Sequence, residues 1–445
     1  MLSQAHFPLH FPIDLDEDKE SVAIIGGGWF GAHIAAYLAN QRSSRYSVTL
    51  FEKNDVIFNG ISGNFGIRLH AGPHYPRSLM TRLGCHDGFK EFVSTYPELV
   101  NDHEYSIYAL GKIDADGKES KVDSEQFEAV CREFKYKTKL TDLEAWGYNP
   151  DAFHAAFDLD EPSAVLGSRL RWFFEKLLAE RGVSVKYNSV VESAIPLHDG
   201  RIWLRGREAD GPLTQCFDHV INASSHKALL PPPEVMPPYN FDIVYQPCKP
   251  ISFIVMDGWY PCLMPYDDRK TTTNGPVNNY IMTHGRWTIV ASYPTLEEAN
   301  EAFSKIDDDF VEENVKNPCE EHMRTFWPEF NKRFEYRGWK GSVLAKIKTV
   351  QEFRSAVVFQ DPSRMIHVFP GKITNIFDAA RETESLMKGV DVVSDLNCYY
   401  AKYGVLARAA REIQKKSTQG DRSTTSLQTF HQLLKGRRVA GHVAG

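Results

Sequence analysis

Residues 21–41, "SVAIIGGGWFGAHIAAYLANQ", carry more structural information than any other stretch of this 445-residue chain. Val22–Ile25 is an unbroken apolar run, the pattern of a parallel strand covered on both faces. Gly26, Gly28 and Gly31 follow with G-x-G-x-x-G spacing. Phe30, Ile34 and Leu38 then recur every four residues and so line one face of a helix. A second short strand, "YSVTLFEK" (46–53), ends at Glu52. The pattern predicts a strand, a tight turn, a helix and a second strand.

Each glycine has a mechanical reason. Gly26 permits the turn, Gly28 leaves room for a pyrophosphate against the backbone, and Gly31 lets the helix pack close to the strand. Unpaired N–H groups and the dipole at the helix start favour the phosphate charge. A carboxylate at Glu52 suits both ribose hydroxyls of an adenosine and repels a 2′-phosphate. A lone G-x-G-x-x-G is weak evidence, but here it lies between strand and helix with an acidic residue at the next strand end. The motif therefore predicts a dinucleotide, either FAD or NAD.

Three later segments favour FAD. Residues 161–194, "EPSAVLGSRLRWFFEKLLAERGVSVKYNSVVESA", read as an amphipathic helix, Gly182 and a strand through Val183 and Val185. "FDHVINASSHKALLPP" (217–232) reads as a strand ending in small residues, and "MIHVFPGKITNIFDAARET" (365–383) as strand, Pro-Gly-Lys turn and helix. No second G-x-G-x-x-G occurs, which argues against a separate NAD(P)H domain. With this order of motifs, most of residues 20–390 resembles the D-amino-acid-oxidase-like (DAO) family of FAD-dependent oxidoreductases. "SGNFGIRLHAG" (62–72) is similar to a loop of the family's glycerol-3-phosphate and L-2-hydroxyglutarate dehydrogenases, in which a Ser-Gly-x-Asn pattern leads into His-Ala-Gly. It departs from them by about one inserted residue before His70.

The resemblance implies roles residue by residue. Gly26, Gly28 and Gly31, with Trp29 and Phe30 at the helix start, would hold the pyrophosphate. Glu52, followed by Lys53, would hold the ribose. Ser62 and Asn64 would lie beside the pyrophosphate and ribityl chain, Val191 at the adenine, and Ala223 close to the dinucleotide. Gly371, Lys372, Ile373 and Thr374 would face the flavin pyrimidine edge, where N–H donors stabilise the charge of the reduced ring.

The loop "IRLHAGPHYPRS" (67–78) is dense in protonatable groups, and its glycine and prolines exclude a helix or central strand. It is expected beside the isoalloxazine ring. His70 is a candidate flavin contact and catalytic residue, and His74, Tyr75 and Arg68 are candidates for the substrate side. Buried structural histidines are the ordinary alternative. Gly72 and Pro73 break the register that would align the two rings on a metal, so no metal is expected.

Residues 240–345 are rich in β-branched and aromatic residues between turn signals, which predicts antiparallel strands. The resemblance implies that such a sheet covers the flavin and carries substrate contacts. Tyr266, Tyr280 and His284 are the polar tips to follow there, with Tyr280 also a catalytic candidate. Arg354 in "TVQEFRSAVVF" precedes "PGKITN" by about the distance at which family members place a carboxylate-binding arginine. A guanidinium fork suits a carboxylate, and a structural ion pair is the alternative.

The expected fold is α/β, with a Rossmann-like FAD-binding domain on a parallel sheet and an α+β substrate domain on a mostly antiparallel sheet. The expected boundaries are an extension at 1–20, a discontinuous FAD domain at 21–85, 160–235 and 346–395, a substrate or cap domain at 86–159 and 236–345, and a helical basic segment at 396–445. The 42% hydrophobic and 24% charged content is that of a globular protein, and a net charge of −7 argues against nucleic-acid binding. After residue 400, nine basic residues face two acidic ones, which suits a solvated tail or contact with an acidic partner or membrane surface. Seven dispersed cysteines fit free thiols, and the absence of a secretory signal or a spanning apolar run predicts a cytoplasmic protein with no transmembrane segment. The expected activity is hydride transfer from a small amino or hydroxy acid to FAD, as an oxidase or dehydrogenase. A larger, aromatic metabolite and a non-catalytic FAD-binding protein are the alternatives, and the electron acceptor stays open.

Overall fold

Val22, Ala23 and Ile24 are completely buried, as an unbroken apolar run requires of a central strand. The computed structural model describes residues 19–40, 45–65, 67–77, 79–224, 233–236, 239–243, 251–266, 279–293, 296–345, 356–360 and 363–390. Arg354 and the basic segment after residue 400 lie outside them.

Strand Glu20–Ile25 pairs in parallel with Tyr46–Phe51 on one side and His219–Asn222 on the other. Ser184–Lys186 extends the sheet in parallel beyond Tyr46–Phe51, and Ile366–Phe369 does so beyond His219–Asn222. Val357–Gln360 closes the six-stranded sheet as an antiparallel edge. Helix Trp29–Ala39 lies in the same core, with Ile34, Ala35 and Ala36 fully buried. Leu170, Phe174 and Leu178, on one face of helix Gly167–Glu180, pack there too. Complete burial of side chains of this size contributes roughly 1.5–3 kcal/mol each.

A second sheet has eight strands in the order Phe334–Trp339, Tyr239–Ile243, Asn279–His284, Pro261–Pro265, Ile251–Met256, Tyr105–Gly111, Phe153–Leu159 and Thr138–Lys139. All of its pairs are antiparallel except Ile251–Met256 with Tyr105–Gly111. The fold is thus α/β, with a mixed parallel sheet and a separate, mostly antiparallel one. Helix Leu79–Thr95 crosses the boundary expected between residues 85 and 86, and its Phe92 packs in the core of the parallel sheet.

Three short strands join the two halves. Ser163–Ala164 pairs antiparallel with both Ile67–Arg68 and Val100–Asn101. The chain therefore runs from the covering strand Phe153–Leu159 through Glu161 and Pro162 directly onto the histidine loop. Among the described residues, no helix is long and apolar enough to cross a membrane.

Candidate active site

The glycine-rich turn is built by contacts that tolerate no side chain. Gly26 has a φ of +104°, and its N–H donates to the Phe51 carbonyl at 2.8 Å. A Cβ on Gly31 would lie 1.9 Å from the Gly26 carbonyl oxygen, so only glycine lets the helix start this close to the strand end. A Cβ on Gly28 would meet Ser62 Oγ at 2.9 Å, which places Ser62 directly over the turn. The helix carries no acidic residue in its first turn and no side-chain cap. Its opening N–H groups and dipole are thus left to an anion.

Glu52 is buried at the end of its strand. One oxygen accepts the Gly27 N–H at 2.8 Å, and the other accepts the Asn54 N–H at 3.0 Å and the Asn54 amide at 2.6 Å. Ser189 N–H donates to the Glu52 carbonyl at 2.8 Å, bringing the start of strand Val190–Pro196, and with it Val191, to this strand end. Ala223 N–H donates to the Ile25 carbonyl at 2.9 Å, beside the turn. Lys53 is exposed. Trp29 and Phe30 are core residues, and Trp29 lies within 5.3–6.5 Å, ring to ring, of Phe58, Phe92, Tyr96 and Phe174. The Asn64 amide caps its own short helix, donating to the Asn59 and Gly60 carbonyls.

The Pro-Gly-Lys turn comes to the other end of this region. Lys372 N–H donates to Asn375 Oδ1 at 3.0 Å, and Asn375 N–H returns to the Lys372 carbonyl at 2.9 Å. The Lys372 N–H is therefore committed to the turn, contrary to the role expected of it. Ile373 and Thr374 open a short 3-10 helix that leads into Ile376–Met387. Thr374 is buried, and its Oγ1 has no hydrogen-bond partner among the described residues. The Lys372 ammonium sits 4.8 Å from the centre of the Tyr75 ring, which seats the histidine loop on the turn.

In that loop His70 is buried and His74 is partly exposed; their rings stack 4.3 Å apart at 24°. Gly72 has a φ of +140°, and a Cβ there would strike the Phe134 ring. His70 Nδ1 lies 3.1 Å from Glu161 Oε1, which also accepts the Ala71 N–H at 2.8 Å. The Tyr108 hydroxyl is 3.4 Å from the same ring nitrogen. Burial pushes the Glu161 carboxyl up to about 7, against hydrogen bonds from Tyr108 and Ala71 and the charges of Arg68 and Lys372. Arg68 donates to Cys262 Sγ at 3.8 Å. Burial works against its charge, yet the surrounding Cys262, Tyr108, Tyr75 and Glu161 hold its pKa above the ordinary arginine value.

Strand register shows which face of the covering sheet meets this cluster. Tyr108, Ile254, Cys262 and Thr283 are direct neighbours across four strands and share one face. Met264 and Ile281 lie further along it, and Tyr266 packs beside Ile281 and Leu166. Tyr280 and His284 alternate to the opposite face. Tyr280 is fully buried there, 5.5 Å from Phe334 ring to ring. His284 bonds to His322 at 2.9 Å on the same outer side. The expectation that Tyr280 and His284 reach the substrate is therefore corrected by strand parity. Tyr266 lies on the correct face, with its hydroxyl accepting from Lys340 at 2.6 Å. Sequence reasoning missed Glu161, Tyr108 and Cys262. The one available signal was a carboxylate next to proline between two apolar strands, which is a weak one.

Residues 21–366 match the family described as FAD dependent oxidoreductase (DAO). A protein of Aspergillus flavus named FAD-dependent monooxygenase kojA is 42% identical over 434 residues, covering 93% of this chain and 97% of the relative. The FAD-dependent monooxygenase FPY4 of Fusarium mangiferae is 28% identical over 374 residues, 83% and 92% of the two chains. Among solved structures, glycine oxidase from Geobacillus kaustophilus superposes with a TM-score of 0.58 at 15% identity, covering 83% of this chain and 95% of that one. L-alpha-glycerophosphate oxidase from Mycoplasma pneumoniae, with FAD bound, gives 0.54 at 14% identity, covering 83% and 95%. At such identities the solved structures establish the fold alone. The side-chain-free turn, the open helix start, the buried Glu52 and the orphaned Thr374 hydroxyl fit FAD.

Proposed function

Because this chain belongs to the DAO family of FAD-dependent oxidoreductases, we propose that it oxidises a small amino or hydroxy acid, with His70 as proton acceptor and Arg68 as carboxylate anchor. In this proposal the Gly26–Gly31 turn and Ser62 hold the pyrophosphate, Glu52 the ribose, the Val191 backbone the adenine, and the Ile373 and Thr374 N–H groups the flavin. Bound FAD supplies the acceptor for the hydride that leaves the substrate carbon. The hydroxyl or ammonium proton goes to His70 Nε2 as the carbon–oxygen or carbon–nitrogen double bond forms. Arg68 orients the acid, and the face carrying Tyr108, Met264 and Ile281 excludes water.

The contact between Lys372 and Tyr75 carries this reading, since it brings the proton-handling loop against the turn expected at the flavin. Arg354 lies outside the described residues, and Arg68 is the guanidinium within the cluster. The test is anaerobic addition of amino and hydroxy acids to the yellow protein. Bleaching by a carboxylate substrate and not by its neutral amide is expected. Bleaching by neutral compounds alone overturns the acid assignment.

A second reading rests on the fungal relative, 42% identical over 93% of this chain and named a monooxygenase. In that case an oxygen atom enters the product, and a larger, aromatic metabolite is the fitting substrate class. Incorporation of 18O from labelled oxygen gas supports it, whereas stoichiometric peroxide with unlabelled product supports the first reading.

A further inference from the structure

We propose that Glu161 is the positioning residue of the proton acceptor, holding His70 in the tautomer with Nδ1 protonated and supplying the counter-charge when the ring takes a second proton. This rests on the reading of His70 as the base.

Two nitrogens converge on one oxygen of Glu161, His70 Nδ1 at 3.1 Å and the backbone N–H of Ala71, which donates at 2.8 Å. The residues are 91 positions apart, and both side chains are nearly inaccessible, at 6% and 3% exposure. Above about pH 7, to which burial raises the Glu161 carboxyl, the group is an ionised carboxylate that only accepts, so the shared proton belongs to Nδ1 and Nε2 is the acceptor nitrogen of the ring. The backbone donor from Ala71 fixes the carboxylate, which in turn fixes the plane of the imidazole.

The surroundings explain why a charge is needed. Arg68, His74 and Tyr75 come from the loop, Tyr108 and Cys262 from the covering sheet, Cys85 from helix Leu79–Thr95, and Lys372 from the Pro-Gly-Lys turn. The charges of Arg68 and Lys372 both act on Glu161, and positive charges in the same cluster disfavour a positive imidazole. Glu161 places a carboxylate directly against His70 Nδ1 and offsets them.

The test compares the pH dependence of anaerobic flavin reduction in the holoenzyme, Glu161→Gln and His70→Asn, with FAD content confirmed in each. Base catalysis needs neutral His70, so the rate rises with pH through its pKa. Removing the negative charge lowers that pKa. In Glu161→Gln the acid limb should move down by about one pH unit or more, and the plateau rate should fall by up to roughly tenfold for each unit of basicity lost. A slow His70→Asn variant beside a Glu161→Gln variant with the wild-type limb and plateau overturns the role of Glu161 alone. A His70→Asn variant with the wild-type rate overturns the reading of His70 and this proposal with it. If Glu161→Gln does not fold, 15N-histidine spectra of the wild-type holoenzyme decide, with the His70 signals identified by their loss in His70→Asn. A protonated Nδ1 with an unprotonated Nε2 near pH 8 is expected, and the reverse tautomer overturns the proposal.

Discussion

The glycine-rich turn and the histidine cluster are built by opposite means. The turn is made by backbone within one 33-residue stretch, Glu20–Glu52, and its side chains matter mostly by their absence. The cluster is assembled from residues 68, 70, 108, 161, 262 and 372, which meet only once the two sheets have formed. Local geometry makes the first a rigid cradle. Long-range packing makes the second sensitive to single side chains.

The sharpest way to break the comparison is Gly31→Leu. Its Cβ would start 1.9 Å from the Gly26 carbonyl oxygen, so the helix must leave the strand end. A loss on the order of 4 kcal/mol or more is expected, with no FAD retained. A soluble, yellow variant with an unchanged melting temperature would show that the turn is not tightly packed. Glu52→Ala comes next. Losing a charged hydrogen-bond acceptor costs about 1.5–3 kcal/mol, roughly tenfold to a hundredfold in FAD affinity. Titration of apoprotein with FAD measures this, and an unchanged dissociation constant would remove Glu52 from the cofactor site.

On the cluster side, Arg68→Lys keeps the charge and loses the fork. A rise in substrate KM of roughly tenfold is expected, with a smaller change in the limiting reduction rate. Equal loss in both parameters would point to a structural role for Arg68. Tyr280→Phe should have the smallest effect, leaving flavin reduction at the wild-type rate, because strand parity directs this ring away from the cluster. A reduction rate slowed tenfold would mean that the outer face of the sheet communicates with the chemistry.

These differences also explain what could be read before the structure was known. The strand, turn and helix at residues 20–39, helix Gly167–Glu180 and strands Ser184–Lys186, His219–Asn222 and Ile366–Phe369 all follow from local periodicity and glycine placement. The covering strands were apparent from their composition. Their register was not, and register separates Tyr108 and Tyr266 from Tyr280 and His284. Glu161 was invisible because its partner lies 91 residues away and no local pattern distinguishes a buried acid from an exposed one. The parallel pairing of Ile251–Met256 with Tyr105–Gly111 was likewise unreadable, since it joins segments with no shared turn.

The strand order of the parallel sheet has a consequence for biosynthesis. Ile221 and Asn222 pair with Ile366 and His367, and helix Ile376–Met387 packs in the same core as Trp29–Ala39. A ribosome must therefore synthesise well over three hundred residues before the strand that began the sheet gains its final layer. Until then the His219–Asn222 edge offers unsatisfied N–H and C=O groups to any neighbouring chain. Distant pairings of this kind slow folding and lengthen exposure to aggregation. A nascent chain arrested near residue 350 should accordingly be captured by chaperones or precipitate, whereas one extended past residue 390 and clear of the exit tunnel should resist protease and bind FAD.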